Sequence, residues 1–187
     1  MTRTPIVAIG LAAALCCGAA MAQNTNTGMM QNTKPGMAQN TNADKSGKSF
    51  MTNAMEGDYA EIDVGKLAQE KGTTQAVKDF GQKLVSDHSA NLDKAKQVAS
   101  EMGVKDPGGS SYTQKAEYLK LKVLSGKTFD ETFAKDMVSD HQKDIDEFQK
   151  EAAKSGPAAD FAKATLPTLQ EHLQIAQSLT SQTTGSK

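Results

Sequence analysis

Four stretches of this chain, about 49–71, 75–102, 129–155 and 158–182, carry apolar residues at helical spacing, and no run alternates with a period of two. That pattern leaves little room for a sheet. Glycines punctuate it. Gly72-Thr73-Thr74 separates the first two helices, Gly103 stands as a C′ stop, Gly126 closes a short helix over 112–125, and Gly156 precedes Pro157 at a helix start. Ser111 with Gln114 and Thr128 with Glu131 have capping-box spacing. Pro167 falls inside the last helix and should kink or split it near Leu166. Long amphipathic helices with short connections pack as an antiparallel four-helix bundle, with the short helix capping one end or bridging across. About 135 residues suffice for an independent core.

Ahead of the bundle the composition changes twice. Residues 1–22 read as a signal peptide: Arg3, an apolar stretch from Ile6 to Cys17, and Ala20-Met21-Ala22 as the cleavage motif. That stretch is too short to span a bilayer. Cleavage before Gln23 is expected, which makes the protein periplasmic. A lipid anchor at Cys16 or Cys17 is the alternative, for which Leu15 and Cys16 are unsuitable neighbours. Cleavage removes both cysteines, so any metal site must use nitrogen and oxygen ligands. Residues 23–48 repeat as "QNTNTGMM", "QNTKPGMA" and "QNTNADKS" and have almost nothing to bury, so a flexible tether is expected before a bundle over 49–183. Met29, Met30 and Met37 offer thioethers to Cu(I), but unit duplication in a linker is the simpler explanation of them. The formal charge of −1 includes Arg3, so the mature chain carries −2, evenly interspersed. Such a charge makes no case for nucleic acid, and no transmembrane segment remains after cleavage. An envelope protein is the partner class left open.

The chain has three histidines, and two close the same word: "LVSDH" ends at His88 and "MVSDH" at His141. On a helical wheel His88 lies mid-stripe with Phe80, Leu84 and Leu92, and His141 with Phe133, Met137 and Ile145. The third, His172 in "LQEHL", lies within the stripe of Leu166, Leu169 and Leu173. The first helix has no histidine but turns Glu61 inward beside small residues such as Gly65, with Asp58 a weaker second. A buried carboxylate must neutralise, pair or meet a metal. The candidate site is therefore Glu61, His88, His141 and His172, one per helix, suited to Zn, Fe, Mn or Cu. Asp87, Asp140, Glu171 and Asp144 lie at the stripe margins, where an acid orients a neighbour's imidazole. The competing reading is a metal-free Glu–His cluster that sets helix register. Buried neutral histidines would lose folding stability as pH falls below about 6.5.

The blocks "AMEGDYAEIDVGKLAQEKG", "VKDFGQKLVSDH", "LSGKTFDETFAKDMVSDH" and "DFAKATLPTLQEHL" resemble, in order, a secreted bacterial family known as domain of unknown function 4142. The resemblance covers about residues 48–180. It implies a ferritin-like four-helix fold and brings no established activity. Members are often labelled outer-membrane proteins, which no β-barrel pattern supports here. A ferritin-like di-iron centre needs two Glu-x-x-His pairs. Here Val85, Val138 and Leu169 occupy the glutamate positions, so a mononuclear or metal-free site is expected. Three readings follow: an exported metal- or ligand-binding bundle, associated with envelope stress; a structural or interaction bundle; and a metal-dependent redox or hydrolytic enzyme.

Overall fold

The structure, a computed structural model, describes residues 41–185, with side-chain surroundings for residues 44–182. The expected leader, residues 23–40 of the expected tether, and Met29, Met30 and Met37 lie outside the described residues. Five helices follow one another: α1 (Thr41–Lys71), α2 (Gln75–Glu101), α3 (Tyr112–Lys122), α4 (Gly126–Ala152) and α5 (Pro157–Gly185). The all-α bundle expected from the sequence is present. No helix among the described residues is long and apolar enough to cross a membrane.

Local chemistry explains most boundaries. Thr74 caps α2 by accepting from the Val77 N–H at 3.3 Å. At the other end Gly103 takes φ +68°, and the Gly103 and Val104 N–H groups return to the Ser100 and Ala99 carbonyls at 3.0 and 2.7 Å. This is the Schellman pattern that a C′ glycine permits. The capping box between Ser111 and Gln114 opens α3 as expected.

Several boundaries differ from the sequence reading; α3 and α4 each end three residues early, at Lys122 and Ala152. Helix α1 begins at Thr41, eight residues before the expected start, so 41–48 is helix and not tether. An Asp44–Lys48 ion pair at 3.3 Å sits on this extension, Lys154 donates to Ser46 at 2.9 Å, and Gly47 nestles against Met102 and Ala158. Docking by small size leaves no apolar signature, so composition missed it. Helix α4 starts at Gly126, and Thr128 and Glu131 form no box, Glu131 pairing instead with Lys127 at 3.6 Å. Helix α5 continues through Pro167 without splitting. Its flanks are anchored by buried Thr165 and Leu169, and one missing donor does not outweigh that packing.

The start of α4 is instead pinned by burial of Phe129 and Asp130. The Asp130 carboxylate accepts from the Thr73 N–H at 3.0 and 3.2 Å and from its hydroxyl at 2.5 Å. One acid thus ties the α1–α2 turn to α4. Asp130→Ala should cost about 1–3 kcal/mol in urea unfolding, because it strands both donors, and Asp130→Asn should cost less.

The core has two apolar clusters. One joins Met51, Met55, Leu92, Ile145, Phe148 and Phe161. The other joins Leu67, Phe80, Leu84, Phe133, Met137 and Ala176. Each long helix crosses from one cluster to the other, α1 and α5 in one sense and α2 and α4 in the other. Helices α1/α2 and α4/α5 are therefore antiparallel pairs. The 102–125 segment with α3 is the crossover that brings the chain back to start α4 parallel to α2. The crossing points carry polar residues, and these define one layer.

Candidate functional site

In that layer α1 places Asp58 and Glu61 between Met55 and Leu67. Helix α2 places His88 between Leu84 and Leu92, α4 places His141 between Met137 and Ile145, and α5 places His172 between Leu169 and Ala176. Apolar residues close the layer on both sides, and all five polar side chains are at least 94% buried. Ring centroids lie 6.0 Å apart for His88–His141 and 5.3 Å for His88–His172 and His141–His172. One nitrogen from each ring falls within 4.8 Å of the others. Among the described residues this is the one group of three histidine, cysteine or acidic side chains meeting that distance, and Glu61 is not in it.

The outer nitrogens are held by acceptors. His141 Nδ1 lies 2.9 Å from the Met137 carbonyl. A carbonyl cannot donate, so Nδ1 carries the proton and Nε2 a lone pair. His88 Nδ1 lies 2.8 Å from Asp58 Oδ1, and His172 Nε2 lies 2.9 Å from Asp87 Oδ2. The three remaining nitrogens, His88 Nε2, His141 Nε2 and His172 Nδ1, point inward. His141 Nε2 and His172 Nδ1 are 3.3 Å apart. With His172 neutral and donating to Asp87, two lone pairs face each other there. A tetrahedral ion with bonds of 2.0–2.1 Å has nitrogen–nitrogen edges of about 3.3 Å.

The acids divide differently from the sequence reading. Asp58, the weaker candidate, is the α1 carboxylate that meets an imidazole; Asn91 donates to both its oxygens at 3.1 and 3.0 Å, and Thr165 donates to Asn91 at 2.8 Å. Asp87 orients an imidazole of a neighbouring helix, as its position implied. Glu171 is exposed and reaches the site only through Lys83, which contacts Asp87 and Glu171 at 3.1 Å each. Asp140 and Asp144 make no bond to an imidazole; with Glu61 they line a groove of about 650 Å³ between α1, α3 and α4. Gly65 does not make room for Glu61 but abuts the backbone of Gly81. Asn91, Thr165 and Lys83 escaped the sequence reading because polar residues at a stripe margin look like ordinary surface.

The electrostatics follow. Burial, then the positive character of His88 and His172, takes His141 down to about 3. Burial also lowers His172, against the Asp87 bond. His88 departs from the expectation of a lowered value. Burial pulls it down, but the Asp58 bond, together with the Glu61 and Asp58 carboxylates where they ionise, outweighs burial and leaves it raised. Burial lifts Glu61 to about 8, with Asp144 and Asp140 adding to it against His88. Burial and neighbouring acids raise Asp144 to about 7 and Asp140 to about 6.

Glu61 therefore keeps its proton in the metal-free fold where the unfolded chain loses it. Its contribution to stability is full below the unfolded value of about 4.5 and is lost as pH rises through about 8. Each unit is worth about 1.4 kcal/mol. Metal-free Glu61→Gln should be more stable than the parent by a few kcal/mol at pH 8, the gap closing toward pH 4. Unfolding midpoints across that range check it; a constant gap overturns it. His141 works in reverse, since its contribution is full above about 6.5 and is lost as pH falls toward 3.

The family model described as "Domain of unknown function (DUF4142)" matches residues 32–179, most of the chain, so the chain belongs to that family. No curated protein matches. A crystal structure of a domain of unknown function 305 (DUF305) fragment from Deinococcus radiodurans is similar, with a TM-score of 0.65 and 11% identity over 73% of this chain and 96% of that one. At that identity the likeness concerns the fold.

Proposed function

We propose that this member of the domain of unknown function 4142 family, exported to the periplasm by its leader, holds one divalent transition-metal ion between His88, His141 and His172. Glu61 stands beside them as the nearby carboxylate. One observation carries the reading. Among the described residues, two buried side-chain polar atoms have no partner, Glu61 Oε2 and His88 Nε2, and both belong to this layer. Orphaned buried polar atoms are costly and call for an ion or a water. The lone pairs facing each other across His141 and His172 ask for a cation between them. Neutral imidazoles suit Zn, Fe, Mn or Cu, and His88, whose pKa is raised, gives up its inner proton on binding. Bound there, such an ion would supply a Lewis acid. The outer bonds from Asp58, Met137 and Asp87 would fix the ring tautomers, as second partners of metal-bound histidines do.

The crossover before α4 is the connectivity of ferritin-like bundles. It supports that part of the resemblance, while the ligand pattern is a trio of histidines and not paired Glu-x-x-His. Metal content of untagged protein purified from the periplasm tests the proposal. About one ion per chain is expected, and His141→Ala should remove it. Protein free of metal that also takes up none on titration leaves the cluster as a device for helix register.

A further inference from the structure

Two grooves reach the histidine layer from opposite sides, and they differ in charge. The smaller, about 290 Å³ between α2 and α5, touches His88 and balances Lys83 and Lys94 against Asp87 and Glu171. The larger, about 650 Å³ between α1, α3 and α4, is lined by seven acids against two lysines, Lys120 and Lys143. Its acids run inward from Glu117 and Asp136, through Asp140 and Asp144, to Glu61. At its inner end Glu61 is 94% buried, lines the groove and leaves Oε2 without a partner.

No three of these acids bring their oxygens within 4.8 Å of one another, since the imidazole trio is the one such group among the described residues. A bare ion, which needs oxygens at about 2.0–2.6 Å, has no ready-made cage here. A hydrated ion does not need one. Six waters at about 30 Å³ each fill roughly 180 Å³, which the groove accommodates. Carboxylates spaced along a wall can grip such an ion through its water shell. A cleft lined by one sign of charge also focuses ions and speeds association by about 10–10³-fold. Resting on the assignment of a metal to the three imidazoles, we infer that the acidic groove under α3 is a vestibule that binds hydrated divalent cations and passes them across Glu61 to the histidine layer. The α2–α5 groove, balanced in charge, gives no such focusing.

The test is the rate at which the full chain takes up Co(II), followed by the visible band that histidine coordination produces, at several salt concentrations. In a Glu117→Gln/Asp136→Asn/Asp140→Asn variant, uptake should slow on the order of tenfold and lose most of its salt dependence. Final stoichiometry and the band itself should not change. Glu171→Gln, in the other groove, should leave the rate as it is. A triple variant that loads at the parent rate, or a Glu171→Gln variant that slows equally, overturns the vestibule. An altered band or stoichiometry also overturns it, by making these acids ligands. A parent chain that takes up no cobalt overturns the histidine assignment instead. The groove is then judged by Mn(II) added to His141→Ala: selective broadening of the amide signals of residues 117, 136 and 140 supports it, and uniform broadening rejects it.

Discussion

One equivalent of Zn(II) or Co(II) raises the thermal midpoint of the metal-free chain by about 5–10 °C, and a chelator reverses the rise. Free metal at a hundred times its dissociation constant stabilises by about 2.7 kcal/mol, and each kcal/mol moves a domain of this size by about 2–4 °C. The gain should be large because the layer by itself is costly: His88 Nε2 and Glu61 Oε2 are buried without partners, and two imidazole lone pairs meet at 3.3 Å. An ion held by the three imidazoles removes the penalty at His88 Nε2 and the one between His141 and His172 at once. His141→Ala should be less stable to begin with and should not respond to metal. Asp58→Asn keeps all three imidazoles but weakens the grip on His88 Nδ1, so it should respond with affinity reduced about 10–100-fold. Scanning calorimetry with and without chelator decides between them. A parent protein whose midpoint ignores both metal and chelator rules the assignment out.

Gly81→Ala should destabilise the fold by about 2–3 kcal/mol, although alanine is the better helix former by about 1 kcal/mol. At this position α1 and α2 touch backbone to backbone. A Cβ on Gly81 would lie 2.6 Å from the Gly65 carbonyl oxygen and 2.9 Å from Ala68 Cβ; one on Gly65 would lie 2.7 Å from the Gly81 oxygen. Neither obstacle is a flexible side-chain end, so the helices must part. Gly57→Ala, on the partner helix α1, is the control. A Cβ there meets nothing within 4 Å, and the change should stabilise by up to about 1 kcal/mol. The same chemical edit thus has opposite signs at two helical glycines. The clash also has a consequence for the site. Gly65 is one turn from Glu61 and Gly81 two turns from His88, so parting α1 from α2 stretches the Asp58–His88 bond of 2.8 Å. Gly81→Ala should therefore lower metal affinity as well as the midpoint, and a variant that loses neither removes the close crossing from consideration.

Gly126 opens α4 and does not close α3, but the glycine stops at 72 and 103, the capping box at Ser111 and the inward phase of the three histidines were all legible in the sequence. Each depends on residues within one or two turns, and a wheel captures such relations. The start of α1 was not legible, because Gly47 docks by being small and leaves no apolar period to read. Nor was the Thr128–Glu131 box excluded in advance. Asp130 and Phe129, reaching Thr73 and the core, recruit an earlier turn into α4, and a contact across 57 residues has no local trace.

The acids mark the boundary most sharply. A wheel puts both Asp58 and Glu61 near the inner face of α1, and nothing local separates them. What separates them is the rotation of α1 against α2, set where Gly65 meets Gly81. That rotation aims Asp58 at His88 and leaves Glu61 facing the α4 groove. By itself, then, the order of residues determined an all-α bundle with three imidazoles turned to its interior, because helical period and capping act over a few residues. The shared depth of those imidazoles, the acid that orients each one and the acidic groove beside them were decided only by tertiary structure, because distances between helices depend on how separate rods pack.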